Sequence, residues 1–355
     1  MQTISEIDKN LKVAELPEEP LQFYDVREAP FQIYGLYRPQ EDGPFKRLPD
    51  QLAQETNEGV AVLYRNTAGG RVRFSTDSRY IAIRAVMPSV QHMSKMPLTG
   101  SAGFDLYVDE GEKSTFAGAL VPPEDMTTGY VTAHTFPDRR LRHITIHFPL
   151  YNDVSALSIG LQPDAVLEPG AAYRWTKPVL YYGSSITQGG CASRPGNSYP
   201  AIISRRCSCD YYNFGFSGSA RGEEGLLRYL AQQEAGIFVC DYDHNAPTPE
   251  HLLKTHRRAY EIIRAQQPEL PILLVGRPGF QIDNAEEIER RSIIYATYQA
   301  AAAAGDRHVY YVDGQSLFQG EGWDCCTVDG THPNDLGFFR MAEMIGTVIH
   351  RILSE

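Results

Sequence analysis

Two rhythms of apolar and polar positions divide the chain. Up to about residue 165, short apolar runs are broken by Gly, Pro, Asp and Asn. Val60–Tyr64, Val72–Ser75, Tyr80–Ala85, Phe104–Val108, His143–Phe148 and Ala156–Leu161 are such runs. Several alternate apolar and polar with period two, which predicts strands with one face on a core and the other in water. Ala68-Gly69-Gly70, Asp109-Glu110-Gly111 and Pro122-Pro123 punctuate them as turns. Many short strands with hardly a helical stretch predict an antiparallel β-sandwich, jelly-roll-like, over residues 1–170.

After about residue 175 the pattern becomes continuous apolar runs separated by helical stretches. Val179–Tyr182, Tyr211–Phe214, Ile237–Tyr242, Ile272–Gly276 and Val309–Val312 are expected as strands. Helices are expected near Tyr199–Arg206, Glu223–Gln233, Pro249–Gln266, Ala285–Ala304 and Leu336–Leu353. Unbroken Val, Ile and Leu runs suit strands covered on both faces. Five strand–helix repeats predict an α/β/α three-layer domain with a five-stranded parallel sheet over residues 171–355. Its ligands are expected beyond the carboxyl ends of the strands. Glu168-Pro169-Gly170-Ala171 is the expected linker.

Composition narrows the function classes. The 355 residues hold 33 Lys plus Arg against 44 Asp plus Glu, a net charge of −11. An acidic surface with no basic run argues against nucleic acid and anionic membranes as partners. No stretch reaches the length of a membrane span, and the first residues carry no basic-then-apolar leader, so a cytoplasmic location is expected. The six cysteines contain no Cys-x-x-Cys pair, which argues against a structural zinc site, and the thiols read as reduced; no metal and no cofactor is expected.

Candidate chemistry sits at the strand ends. Tyr182-Gly183-Ser184-Ser185-Ile186-Thr187-Gln188-Gly189 follows the first strand of the second half and can present a serine hydroxyl. A serine needs a base within hydrogen-bond reach to act as a nucleophile at neutral pH. Thr327-Val328-Asp329-Gly330-Thr331-His332-Pro333-Asn334, just before the last helix, supplies one. Asp329 can meet Nδ1 of His332 on a tight turn and leave Nε2 to take the serine proton. A surface Asp–His pair is the bland alternative.

Gly183-Ser184-Ser185-Ile186-Thr187 resembles the nucleophile block of SGNH (GDSL-like) hydrolases, with Ser184 where Asp is more usual. Asp329-x-x-His332-Pro333 resembles the last block of that family. Asn213-Phe214-Gly215-Phe216-Ser217-Gly218 and Cys240-Asp241-Tyr242-Asp243-His244-Asn245 stand where the family carries its oxyanion glycine and asparagine. The third block departs from the usual Gly-x-Asn-Asp form. Gly103-Phe104-Asp105-Leu106-Tyr107 resembles the Gly-x-Asp-Leu-Tyr signature of an N-terminal sandwich that accompanies one subgroup of carbohydrate esterases and acyltransferase-like members.

The resemblance implies a catalytic set of Ser185, Asp329 and His332. It implies an oxyanion hole from the backbone N–H of Ser185 and Gly218 and the side-chain amide of Asn245, glycine at 218 leaving room for the substrate. The implied activity is a serine esterase removing a short acyl group, acetyl first, from a carbohydrate or glycoside. The partner would be a small-molecule or oligosaccharide ester, with a homo-oligomer possible. An acyltransferase with the same triad, a lysophospholipase or thioesterase, and a non-catalytic carbohydrate-binding protein are the alternatives.

Four further residues are open between substrate contact and ordinary structure. His244 is expected to line the cleft. Arg277 could contact substrate or form a cap or ion pair. Trp323 could stack on a sugar or pack on the other domain. His92 lies in the stretch Gln91–Leu98, which could close over the cleft, or is an ordinary surface histidine. Asp241 and Asp243 are read as buried or capping carboxylates rather than metal ligands, and Asp105 as a structural carboxylate satisfied by backbone donors.

Overall fold

The computed structural model describes residues 7–8, 13–111, 113–278 and 284–355. Among the described residues the first half holds ten strands: β1 (Gln22–Asp25), β2 (Gln32–Tyr34), β3 (Arg71–Thr76), β4 (Tyr80–Val86), β5 (Phe104–Glu110), β6 (Lys113–Leu120), β7 (Gly129–Thr135), β8 (Arg142–His147), β9 (Ala156–Leu161) and β10 (Leu167–Pro169). They form two antiparallel sheets, ordered β1-β9-β4-β7 and β10-β3-β8-β5-β6, with β2 also paired to β3. Val72, Phe74, Ile81, Ile83, Leu106, Ile144, Ile146 and Ile159 fill the core between the sheets. Period-two alternation puts these residues inward.

The polar partners of that alternation do not face water. In β3, β5 and β8, the residues Arg71, Arg73, Asp105, Tyr107, Thr145 and His147 are all buried. Their face of the sheet docks on the second half of the chain. Arg71 pairs with Asp210 and also donates to the Tyr211 carbonyl at 3.1 Å. Asp105 accepts from the Gly196 backbone N–H at 2.9 Å and from Arg194 at 3.2 Å. Only one of these donors is backbone, so the Gly-x-Asp-Leu-Tyr signature is a clamp onto the loop that follows the nucleophile segment. Burial raises the Asp105 carboxyl to about 6 against the opposing pull of Arg205, Arg194 and the Gly196 amide.

The expected strand at Val60–Tyr64 is a helix. Two short helices, α1 (Asp50–Thr56) and α2 (Glu58–Leu63), run through this region. Asn57 caps α2, its side chain accepting from the Val60 N–H. That local hydrogen bond, together with packing of Val60 and Tyr64, outweighs the β preference of the two valines. A third helix, α3 (Leu98–Ser101), precedes β5.

The second half is a five-stranded parallel sheet, β11 (Trp175–Gly183), β12 (Cys209–Gly215), β13 (Ile237–Asp241), β14 (Ile272–Val275) and β15 (Val309–Val312), in the order β12-β11-β13-β14-β15. Its helices are α4 (Ser185–Gln188), α5 (Tyr199–Cys207), α6 (Glu224–Ala231), α7 (Pro249–Gln266), α8 (Ala285–Ala303) and α9 (Asp335–Ser354). Val179 and Tyr181 join the core under α5 and α9, while Leu180 and Tyr182 join the core under α6, α7 and α8. This is the doubly covered sheet that the apolar runs required.

The two halves share both of these cores, Ala68, Met96, Leu150 and Tyr151 entering the first. Leu48, Ala53, Val60 and Tyr64, all from the first half, pack with Leu180, Tyr182, Phe214 and Leu227. Arg47, buried beside them, donates to the carbonyls of Asn213 at 2.9 Å, Gly215 at 2.6 Å and Leu63 at 2.7 Å. Desolvation pulls its guanidinium down to about 9, so three carbonyl dipoles are needed to hold the charge there. All six cysteines are free thiols. Among the described residues no helix is long and apolar enough to cross a membrane.

Candidate active site

The nucleophile candidate is built at the carboxyl end of β11. After Gly183 the chain turns into the one-turn helix α4, with Ser184 as its N-cap accepting from the Ile186 N–H at 3.2 Å. Serine and aspartate both serve as N-caps, which accounts physically for Ser184 at a position where aspartate is more usual. Ser185 is then the first helical residue and is almost wholly buried. Gly189 ends the turn at φ +105°, a conformation that costs glycine little.

The base comes from the loop before α9. An isolated bridge joins Thr327 and Pro333, and the Val328 N–H donates to the His332 carbonyl at 2.9 Å. Gly330, at φ +84°, allows the tight turn between them. Asp329 Oδ1 accepts from the backbone N–H of Thr331 at 3.1 Å and of His332 at 2.8 Å. Asp329 Oδ2 lies 3.0 Å from His332 Nδ1. His332 Nε2 lies 3.0 Å from Ser185 Oγ. Residues 147 positions apart are thus joined in one Ser–His–Asp line. Partial burial works to raise the Asp329 pKa. Hydrogen bonds from Lys95 and from the backbone and ring of His332 outweigh it and hold the carboxyl well below the usual range.

Beneath the line lies a buried polar platform. Asp241, at the end of β13, accepts from Tyr199 at 2.9 Å and from Thr187 of α4 at 3.1 Å. Its burial raises the carboxyl to about 7 despite these two donors. Asn213 donates to the Thr187 carbonyl at 2.7 Å, and Gln188 accepts from the Ser217 N–H at 3.0 Å. Tyr151, from the first half, donates to the Ser185 carbonyl at 3.2 Å.

The remaining candidates are distributed unevenly. Gly218 has φ +64°, and a Cβ there would meet nothing within 4 Å. Its backbone conformation, and not crowding, is what calls for glycine. Among the described residues neither the Ser185 nor the Gly218 backbone N–H has an acceptor. The resemblance implies a free amide at Asn245, and here the structure differs. Its Nδ2 donates to the carbonyls of Phe216 and Ala220, both at 2.9 Å. With both N–H bonds engaged, the side chain closes the turn that carries Gly218.

His244 is half-buried, and Arg277 Nη2 donates to its Nδ1 at 3.2 Å. Arginine can only donate, so the ring proton sits on Nε2. Desolvation, with Arg277 and His332 adding to it, keeps His244 neutral, its pKa well below the ordinary value. Arg277 therefore serves as an internal partner. Asp243 is an internal ion pair with Arg290 at 3.1 Å. Trp323 is exposed on a short 3-10 turn, and no described contact brings it to Ser185. His92 is exposed in its loop. That same loop brings Lys95 to Asp329 Oδ2 at 2.8 Å, a contact that no signal in the sequence singles out within the stretch Gln91–Leu98.

The comparisons agree with this architecture. Residues 176–350 match the GDSL-like Lipase/Acylhydrolase family, and residues 21–167 match the GxDLY family, the N-terminus of SGNH-hydrolase-type esterases. The chain belongs to the SGNH (GDSL-like) esterases with a GxDLY N-terminal half. It is accordingly a carboxylic ester hydrolase by family. No curated protein matches the sequence at a significant level. Among solved structures, a Bacteroides ovatus protein described as a GDSL-like lipase is 26% identical with a TM-score of 0.84, over 94% of this chain and 98% of that one. A salicylyl-acyltransferase from a tetracycline biosynthetic pathway is 17% identical with a TM-score of 0.75, over 92% and 97%. An acetyl xylan esterase from Butyrivibrio proteoclasticus is 12% identical with a TM-score of 0.60, over 94% and 99%. At the last two identities the likeness is one of fold.

Proposed function

We propose that this SGNH esterase removes a short acyl group, acetyl first, from a carbohydrate or glycoside through an acyl-enzyme on Ser185. The observation that carries the reading is the continuous line from Ser185 Oγ through His332 to Asp329, each contact at 3.0 Å. His332 Nε2 takes the serine proton as Oγ bonds to the ester carbonyl carbon, and Asp329 stabilises the imidazolium that forms. The carbonyl oxygen, now an oxyanion, lies against the unengaged backbone N–H groups of Ser185 and Gly218. Collapse breaks the bond to the leaving alkoxide, which receives the proton back from His332. Water then repeats the sequence on the acyl-enzyme and frees the carboxylic acid. Asn245 has a holding role, fixing the turn that aims the Gly218 N–H.

The carbohydrate part of the reading draws on fold neighbours, among them the acetyl xylan esterase and a family two carbohydrate esterase from Clostridium thermocellum solved in complex with cellohexaose. The half-buried, neutral His244 beside His332 adds a polar wall suited to hydroxyl groups. The salicylyl-acyltransferase neighbour favours a second reading, in which an acceptor hydroxyl replaces water in the final step.

Hydrolysis of p-nitrophenyl acetate, butyrate and octanoate by the wild type, Ser185→Ala and His332→Ala tests the mechanism. Loss of turnover in both variants and a preference for acetate are expected. Equal rates in wild type and Ser185→Ala, or a preference for octanoate, would overturn it. Acetate release from acetylated oligosaccharides, with and without excess sugar acceptor, separates hydrolysis from transfer.

A further inference from the structure

We infer that Lys95 is a positioning residue for the catalytic acid, so that the triad is completed by the first half of the chain. The inference rests on the triad reading above and extends it. Asp329 Oδ2 has two described partners, His332 Nδ1 at 3.0 Å and Lys95 Nζ at 2.8 Å. Oδ1 is already held by the two backbone N–H groups of Thr331 and His332. Oδ2 is the oxygen that must stay in the plane of the imidazole. Its outer side opens toward solvent, where water would compete with Nδ1–H for the same lone pairs. The Lys95 ammonium fills that side.

The loop that carries Lys95 is built to hold it there. Met93 and Met96 form a bridge, and the Met96 N–H donates to the Met93 carbonyl at 3.2 Å. Met96 is buried in the core formed by α5, α9 and the parallel sheet, and Met93 packs on the same cluster. The Gln91 N–H is tied to Asn152 at 2.8 Å, and Thr99 Oγ1 donates to the Ser193 carbonyl at 2.5 Å. The loop is thus pinned on both sides of Lys95, through Asn152 to the loop after β8 and through Ser193 to the segment after the nucleophile helix. The lysine side chain stays outside the core and reaches across to the acid.

Two effects of Lys95 oppose each other. Its positive charge disfavours the imidazolium that forms as Ser185 attacks, while its hydrogen bond keeps Oδ2 aligned. The side chain is 60% exposed, so its charge is strongly screened by water and salt. The alignment is short-range and is not screened, so it wins.

The experiment measures kcat and KM on p-nitrophenyl acetate for Lys95→Met, Lys95→Arg, Asp329→Asn and the Lys95→Met/Asp329→Asn pair, with Ser185→Ala alongside. Lys95→Met should lower kcat roughly fivefold, the upper range for an exposed ion pair, with KM within about twofold of wild type. Lys95→Arg should restore kcat. In the Asp329→Asn background, Lys95→Met should have no further effect, because the partner through which it acts is gone. An unchanged or raised kcat in Lys95→Met, or the same loss with and without Asp329, overturns the inference. If Ser185→Ala is dead while Lys95→Met is unaffected, Lys95 alone is wrong. If Ser185→Ala keeps wild-type turnover, the triad reading itself fails.

Discussion

Replacing Asp241 by asparagine should stabilise the protein by an amount that grows as pH rises toward neutrality. The carboxyl lies under the nucleophile helix at 2% exposure and is raised from 3.8 to about 7. Desolvation is the main cause, and the hydroxyls of Tyr199 and Thr187 offset only part of it. An unfolded chain releases this proton near 3.8, whereas the folded protein keeps it until about 7. Between those values the folded state binds more protons, so stability falls as pH rises through the window and levels off above it. At about 1.4 kcal/mol per pH unit, a window of roughly three units sets a ceiling of ~4 kcal/mol on the loss. The substituted amide cannot ionise, and its oxygen can still accept from Tyr199 or Thr187. Urea unfolding of both proteins from pH 5 to pH 8.5 measures the difference. The stability of Asp241→Asn relative to wild type should climb by about 2–3 kcal/mol across that range, the part of the window that lies above pH 5. A difference constant to within about 0.5 kcal/mol refutes the argument, since it means that Asp241 is ionised in the folded protein throughout.

Two other outcomes follow from the site. Ser184→Ala removes the cap of the one-turn nucleophile helix and should cost about 1 kcal/mol in unfolding free energy, with kcat falling as Ser185 loses its fixed direction; an unaltered midpoint in urea counts against the capping role. Asn245→Ala leaves the buried Ala220 carbonyl without its described donor, at about 1–3 kcal/mol, and the Phe216 carbonyl with only the N–H groups of Ser219 and Ala220, so the thermal midpoint and kcat should drop together. A fall in kcat at constant midpoint would instead make Asn245 a direct donor to the oxyanion.

Legibility in the sequence followed how local each signal was. The helix Pro249–Gln266 has the bounds expected of it, because Thr248 caps it, Pro249 opens it and its apolar face repeats regularly. Val309–Val312 stood out likewise as an unbroken apolar run. By contrast β1 and β6 carry mixed, partly exposed residues at sheet edges, and nothing in Gln22–Asp25 or Lys113–Leu120 announces a strand. Val60–Tyr64 misled because branched residues favour strands in isolation, while the cap at Asn57 and a neighbouring core decide for helix.

In the site, Ser185 and His332 could be paired from sequence, since each ends a recognisable strand or opens a recognisable helix. Two features could not be read. Asn245 sits at the position its block suggests, yet the direction of its amide depends on a turn 25–29 residues upstream. Lys95 lies 234 residues from Asp329, and no periodicity or spacing links a loop of the first half to an acid near the end of the second. The polar face of β3, β5 and β8 misled for a related reason. Alternation says which residues turn away from a core, not whether water or another part of the chain awaits them.

The stretch from Arg47 to Tyr64 has a bearing on how such a protein can be cut or recombined. A fragment starting near residue 171 would inherit the nucleophile and the base but lose Leu48, Ala53, Val60 and Tyr64 from its own interior. It would also strip the guanidinium that donates to the carbonyls at the tip of β12. Exchanging the leading half for that of a distant cousin therefore means transplanting a wedge of someone else's core, and successful chimeras should keep this wedge with the sheet it fills.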